Sequence, residues 1–248
     1  MVGDPITKKY PDLNNKINYH GILNVINFLK KNLFNKLIFV STCSNYGIVK
    51  NKIADENTTL KPKSLYANAK VEIEKKIKEI NNTNFSWCIL RFATAFGFSP
   101  RMRFDLTIND FTRDAISKNK IEIYDPDTWR PYCHVKDFSR VIFKIMISNN
   151  KLIHKKIYNV GSNKNNHTKR SIAKILKIKF KKLELSFLKK PVDPRDYRVS
   201  FTKLKKELKI TPKYSLQYGI NEISENYKSV FKEKDTGNYK IRKKIYIK

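Results

Sequence analysis

The pattern best suited to chemistry in this 248-residue sequence is Tyr66-Ala-Asn-Ala-Lys70. On a helix, residues four apart lie on one face, so the Lys70 ammonium can sit beside the Tyr66 phenol. A phenol with a pKa of about 10 is a poor base at neutral pH. A neighbouring cation favours the phenolate and brings proton transfer into working range. Upstream, Ser41-Thr-Cys-Ser-Asn-Tyr-Gly47 directly follows the apolar run Leu37-Ile-Phe-Val40. Such a run suits a parallel strand buried on both faces. Thr42 then falls at the C-terminal end of that strand, where α/β folds place ligand-contacting groups. Its hydroxyl can hold the oxygen that Tyr66 protonates or deprotonates. Y-x-x-x-K alone equally describes an exposed helix with an ordinary Tyr and Lys. The ordered series of an S-T-x-x-x-Y-G strand end, a loop, Y-x-x-x-K and an L-R-F-x-x-x-F-G strand end is far more specific.

The elements that must position these residues alternate between helix and strand. Ile22, Val25, Ile26 and Leu29 follow i, i+3, i+4, i+7, which predicts an amphipathic helix over about 17–31. Tyr66, Ala69, Ile73, Ile77 and Ile80 define a second helix over about 65–80, ended by Asn81-Asn-Thr-Asn84. Phe85-Ser-Trp-Cys-Ile-Leu-Arg91 is another buried strand. This order implies an α/β fold with a doubly wound, Rossmann-like parallel sheet. After Gly97 come a basic loop, a helix with Ile108, Phe111 and Ala115, and a strand at Ile121-Glu-Ile-Tyr124. A helix with Val141, Ile142, Ile145 and Met146 follows, then the strand Ile157-Tyr-Asn-Val160. Thr168 suits the N-cap of a helix bearing Ile172, Ile175 and Leu176. Residues 193–199 lead into two last helical patterns. The expected division is 1–100 for the dinucleotide-type sheet (to which strand 157–161 returns), 101–230 for a smaller substrate-binding part, and 231–248 for a charged tail.

Composition narrows the function classes. At 40% hydrophobic and 12% aromatic, the chain can bury a core and is no disordered polycation. No apolar run approaches the ~20 residues of a membrane span, and the first residues, MVGDPITKKY, lack a signal-peptide core. Cys43, Cys88 and Cys133 form no C-x-x-C pair, which gives no metal signature and favours a reducing cytoplasm. The net charge of +30 invites a nucleic-acid reading. The lysines, however, are spread over every segment alongside Asn and Ile, so dispersed solvated charge is the favoured explanation. His134 and Asp137 read as structural, with Asp137 a good N-cap, and Cys43, Trp87 and Trp129 read as packing residues.

The chain resembles the extended short-chain dehydrogenase/reductase family, in its NAD-dependent nucleotide-sugar epimerase/dehydratase branch. The resemblance runs from Val2 to about Ser229. It rests on Val2-Gly-Asp-Pro5, Asn18-Tyr-His-Gly21, STCSNYG, YANAK, Leu90-Arg-Phe-Ala-Thr-Ala-Phe-Gly97, Arg130-Pro-Tyr-Cys-His-Val-Lys-Asp137, Ile157-Tyr-Asn-Val-Gly161 and Thr202-Lys203…Leu208. It implies that Thr42, Tyr66 and Lys70 are the catalytic hydroxyl, the acid/base and its activator, with Lys70 also gripping the nicotinamide ribose. Asn18, Phe92 and Ala93 would line the NAD or NADP site. Thr94, Asn109, Arg130 and Arg195 would face a nucleotide-sugar substrate, the arginine fork of Arg130 suiting its diphosphate. It further implies a homodimer paired through the two helices over 17–31 and 65–80.

Three departures shape what the resemblance implies. The Asp-Glu pair of the 4,6-dehydratases is replaced here by Cys43 and Ser44, which argues against dehydration. Thr94 stands where the family has asparagine, and the diphosphate-binding arginine expected just before Asp196 is not clearly in register, with Arg195 or Arg198 to take its place. No G-x-G-x-x-G occurs, although a doubly wound fold binds pyrophosphate at such a loop. The resemblance therefore places that first half before Val2, and Val2-Gly-Asp-Pro5 reads as a strand end and its loop. The expected activity is hydride transfer at a sugar carbon, as an epimerase or a keto-sugar reductase. The reading from another class is a non-catalytic basic binding protein on a degenerate fragment of the fold.

Overall fold

The computed structural model describes residues 1–31, 34–80, 85–189, 193 and 195–230. The chain enters through two short helices, α1 (Asp4–Lys9) and α2 (Pro11–Asn14). A π-helical turn over Asn15–Gly21 then leads into α3 (Ile22–Lys31). Two expectations are corrected here. Val2-Gly-Asp-Pro5 is no strand end: Pro5 in the first turn and Asp4 at the positive end of the helix dipole start α1. The helix expected over 17–31 is interrupted by the π turn, which periodicity alone does not register.

Next come β1 (Lys36–Thr42), a 3-10 turn over Cys43–Tyr46, β2 (Ile48–Ala54), α4 (Leu65–Lys78), β3 (Ser86–Phe92) and β4 (Thr94–Phe96). Then follow α5 (Thr107–Ser117), β5 (Lys120–Tyr124), β6 (Trp129–His134), α6 (Val135–Ile147), α7 (Asn150–Ile153) and β7 (Lys156–Val160). The described part closes with β8 (Asn166–Thr168), α8 (Lys169–Lys179), β9 (Glu184–Leu188), β10 (Asp196–Val199), α9 (Thr202–Leu208) and α10 (Leu216–Val230). The asparagine run at 81–84 and the charged tail at 231–248 lie outside the described residues.

The central sheet is parallel, in the order β1-β3-β7. Every residue of β3 is buried, which is why its sequence, Ser86 and Arg91 apart, reads as an apolar run rather than an alternation. Its side chains still alternate between two cores. Trp87 and Ile89 pack with Ile73 and Ile77 of α4 and Ile26 of α3. Cys88, Leu90 and Phe92 pack with Val141 and Ile145 of α6 and Leu204 and Leu208 of α9. Helices on both faces of a parallel sheet make the fold Rossmann-like α/β.

A third core joins Phe96, Ile108, Phe111, Ile121, Tyr132, Ile172, Leu176 and Ile220, from α5, α8, α10 and the strands between them. Around it lie the pairs β5-β9 and β4-β6-β8, while β2 pairs in parallel with β10. The strands β2, β4, β6, β8, β9 and β10 were not expected from sequence: β4 and β8 have three residues each, β2 is largely exposed, and β6 carries Pro131 inside its run. Thr168 does cap α8, accepting the Ser171 N–H at 3.1 Å. At α6 the cap is His134, whose Nδ1 accepts the Lys136 N–H at 3.1 Å, rather than Asp137. Asp137 sits inside the first turn and accepts the backbone N–H groups of Lys213 and Tyr214 at 3.0 Å, tying α6 to the chain before α10.

Candidate active site

The parallel register aligns Thr42 of β1 with Phe92 of β3, and Phe92 with Val160 of β7. Three strand ends therefore finish level, and the chain leaves the sheet there. This is the carboxyl edge at which open α/β sheets bind ligands. Beyond Thr42 the backbone turns sharply: Thr42 Oγ1 accepts the Ser44 N–H at 3.1 Å and lies 2.5 Å from Ser44 Oγ. The reactive end of the strand thus carries two coupled neutral hydroxyls, of which sequence reasoning singled out only one.

The helix α4 supplies the other two groups. Its N-cap, Ser64, accepts the Ala67 N–H at 3.2 Å and donates its own hydroxyl to Asp4 at 2.6 Å. Tyr66, in the first turn, is buried, and burial pushes its phenol up to about 12. The Arg103 guanidinium opposes that rise and Asp4 adds to it. One turn on, the Lys70 Nζ donates to the Val40 carbonyl at 2.8 Å and lies 5.7 Å from the Tyr66 ring centre. Burial brings the Lys70 ammonium down to about 8. Lys70 therefore joins the Tyr66 helix to the strand, two residues before Thr42. Tyr66 thus has two cations in its surroundings, Lys70 one helical turn on and Arg103 from the loop between β4 and α5.

Asn18 sits in the π turn, where π geometry often marks functional sites. Its Nδ2 donates to Asn14 Oδ1 at 2.8 Å, and its Oδ1 accepts from the Met1 ammonium at 3.2 Å. That ammonium feels the Lys70 charge, so Asn18 belongs to the same neighbourhood. Phe92 is buried against Phe138, ring centres 4.0 Å apart, and the Ala93 N–H donates to the Val160 carbonyl at 2.9 Å. Both residues form the floor of the strand-end edge through their backbone.

Beneath the edge lies a buried polar network that the sequence reading passed over. Arg91, next to last in the buried strand β3, pairs with Glu74 of α4 through Nε at 3.2 Å and Nη2 at 2.7 Å. Glu74 also accepts from Ser41 Oγ at 2.5 Å and Asn45 Nδ2 at 2.9 Å. Arg91 Nη1 donates to Tyr46 Oη at 3.1 Å, and Tyr46 donates to Asn159 at 2.7 Å. Ser41, Asn45 and Tyr46 flank Thr42, so this network fixes the strand end in place. The signal was present: a charge inside an apolar strand must find a buried partner, and Glu74 stands in the i, i+4 row of Tyr66 and Lys70.

The substrate-side residues gather around Asp193. Arg130 forms an ion pair with it at 3.0 Å, and Arg195 grips it through Nε at 2.8 Å and Nη2 at 2.6 Å. Arg195 also pairs with Asp4. The two guanidinium groups hold the Asp193 carboxyl well below the usual carboxylate range. Asn109 spends its amide on the Gly97 N–H at 3.1 Å and the Arg103 carbonyl at 3.0 Å, holding the loop between β4 and α5. Gly97 has φ +104 and packs so closely on the His134 ring that a Cβ would overlap it. Thr94 is half-buried at the start of β4, opposite Tyr132. No helix in the described residues is long and apolar enough to cross a membrane.

Solved structures share this architecture. RMD from Pseudomonas aeruginosa, complexed with NADPH, superposes with a TM-score of 0.79 at 20% identity, covering 92% of this chain and 79% of its own. UDP-glucose 4-epimerase from Thermotoga maritima, with UDP-glucose, gives 0.79 at 24%, over 92% and 74%. dTDP-glucose 4,6-dehydratase from Bacillus anthracis, in complex with NAD, gives 0.74 at 23%, over 85% and 68%. At these identities the likeness is one of fold. The sequence itself matches the family model described as NAD dependent epimerase/dehydratase across residues 3–161, from the first helix through the third strand of the central sheet. The chain belongs to the NAD dependent epimerase/dehydratase family.

Proposed function

We propose that the chain works as an NAD(P)-dependent nucleotide-sugar epimerase or keto-sugar reductase, with Tyr66 as the acid/base at the reacting sugar oxygen. The observation that carries this reading is the Lys70 bridge. One ammonium spans the Tyr66 ring and the Val40 carbonyl, and so sets the phenol against the strand end that bears Thr42. Lys70 would hold the nicotinamide ribose, with Asn18, Phe92 and Ala93 near the cofactor, where the strands of Thr42, Phe92 and Val160 end level. The cofactor, when bound, supplies hydride acceptance and return. Tyr66 then exchanges one proton with the sugar oxygen, Thr42 and Ser44 hold that oxygen, and Lys70 steadies the phenolate.

The structural relatives include one that binds UDP-glucose and one that binds UDP-glucuronic acid. A nucleotide sugar suits this site because Arg130 and Arg195 converge on one carboxylate, which a diphosphate would displace. Thr94 would face the sugar, and Asn109 would act by holding the loop between β4 and α5. With neutral Cys43 and Ser44 after Thr42, dehydration is set aside. The reading is tested by incubating the chain with UDP-, dTDP- and GDP-sugars and their 4-keto forms, with NAD(P)(H) in large excess. A product changed in configuration or reduced at one ring carbon is expected. Loss of water from the sugar, or no turnover across the panel, would count against it.

The pH profile should report Lys70. Its ammonium is present below about 8 and is lost as pH rises through that value, so turnover falls on the alkaline side. Lys70→Arg keeps a charge throughout this range and should move the falling limb to higher pH. An unmoved limb in that variant would show that another group governs it.

A homodimer paired through α3 and α4 accompanies this function. Val25 and Phe28 of α3 are 53% and 58% exposed, an apolar surface that two-fold pairing would cover. Light scattering should give twice the chain mass, and Phe28→Glu should give monomer. A wild-type monomer at high concentration would remove this assembly.

A further inference from the structure

We propose that Glu222 is a positioning residue for the substrate side of the site: together with His134 it holds the start of the loop between β4 and α5, and so sets how tightly a nucleotide sugar is bound. The inference rests on the nucleotide-sugar reading above and extends it to a pair that acts through the loop rather than on the sugar. Glu222 belongs to α10, outside the residues 3–161 that match the family model. Where the chain leaves β4, two successive backbone N–H groups are taken by side chains of different helices. Gly97 donates to Asn109 Oδ1 of α5 at 3.1 Å, and Phe98 donates to Glu222 Oε2 of α10 at 3.0 Å. Side chains therefore set the direction in which the loop departs. Phe98 also packs with Met102, Phe104 and Ile223, the residue after Glu222, which fastens the same loop to α10 by apolar contact.

His134 aims the carboxylate. Its ring is fully buried, and its Nδ1 accepts the Lys136 N–H at 3.1 Å as the cap of α6. That nitrogen supplies a lone pair, so the ring hydrogen lies on Nε2 and is donated to Glu222 Oε2 at 3.0 Å. Burial lowers the proton affinity of the ring, which favours this neutral form. The other carboxylate oxygen, Oε1, pairs with Lys136. Gly219, one turn before Glu222, lets α10 come close: a Cβ there would meet Phe96 at 2.5 Å and His134 at 3.2 Å. The Glu222 carboxylate thus receives His134, Lys136 and Phe98 at once, and its effect reaches the substrate side along the loop. That loop joins β4, which opens with Thr94, to α5, which carries Asn109, so its place governs how both residues sit.

UDP-glucose, dTDP-glucose and GDP-glucose are titrated into the full chain by calorimetry, for the wild type, Glu222→Asp and Glu222→Gln, each checked for folding by circular dichroism. Glu222→Asp keeps the charge but draws it back by one methylene, away from Phe98. Glu222→Gln gives up the charge but keeps an oxygen for the Phe98 N–H. The aspartate variant should bind the accepted nucleotide sugar about ten-fold more weakly, the scale of one hydrogen bond to a charged group. Its Phe98 amide should also exchange faster with solvent, whereas the glutamine variant should stay near the wild type in both respects. Wild-type affinity in Glu222→Asp, or an equal or larger loss in Glu222→Gln, would overturn the proposal, since the held loop would then not set affinity. So would a wild-type His134 with its hydrogen on Nδ1, read from imidazole nitrogen shifts, a measurement that decides even where a variant does not fold. A wild type that binds none of the three ligands would overturn the nucleotide-sugar reading as well.

Discussion

Tyr66→Phe lowers kcat by a factor of about 10²–10⁴ while leaving substrate affinity nearly unchanged, the scale of one positioned acid–base group. The substitution deletes only the titrating hydroxyl, and the ring keeps its place in the first turn of α4. Its size follows from the environment of the phenol. Burial pushes the proton affinity up to about 12, so an unassisted Tyr66 would hold its proton far above neutral pH. Arg103 and the Lys70 ammonium, 5.7 Å from the ring, are the cations that can bring it into range. Phenylalanine cannot use either. Thr42→Val should cost less, because it removes one hydrogen bond and leaves the Ser44 hydroxyl, 2.5 Å from Thr42 Oγ1, at the same strand end. Steady-state kinetics with a nucleotide sugar and excess NAD(P) decides the matter. Near-normal turnover in Tyr66→Phe would mean that Tyr66 is not the acid/base.

Glu74→Ala is expected to be the most destabilising single change near the site, by about 3–5 kcal/mol in denaturant unfolding. The Arg91 and Glu74 side chains are 2% and 1% exposed, so removing the carboxylate leaves a guanidinium uncompensated in the core. The loss spreads further. Ser41 Oγ and Asn45 Nδ2 also give up their acceptor, and both residues adjoin the turn that carries Thr42. Replacing both partners, as in Arg91→Met with Glu74→Leu, should recover most of the stability, because a buried pair contributes little over a packed apolar one. It should not recover turnover, since the hydrogen bonds that fix the Thr42 strand end would still be missing. A loss under about 1 kcal/mol in Glu74→Ala would show that the interior rehydrates and that the network is not a rigid foundation.

Much of this was legible in the chain itself. The apolar runs of β1 and β3, the stripes of α4 and α6, and the four-residue spacing of Tyr66 and Lys70 depend on neighbours close in sequence. Period and length therefore reveal them. The motif order adds the family, because it records which strand ends must lie side by side.

What the sequence left open depends on partners far apart along the chain. Periodicity gave no sign of the π turn at Asn18, or that β2 would find β10 nearly 150 residues later. The sequence gives no sign that the Asn109 amide holds Gly97 and Arg103. Arg103 reads as one of many loop cations until the fold pairs it with the buried Asp105 and packs it on Gly3. In a chain with 52 lysines and arginines, composition cannot say which cation matters. Burial and a fixed partner decide it, because a cation held out of water acts strongly on its neighbours whereas a solvated one is screened. The residues of these motifs are written in the sequence; which of the charges are paired and buried is settled by tertiary contact alone.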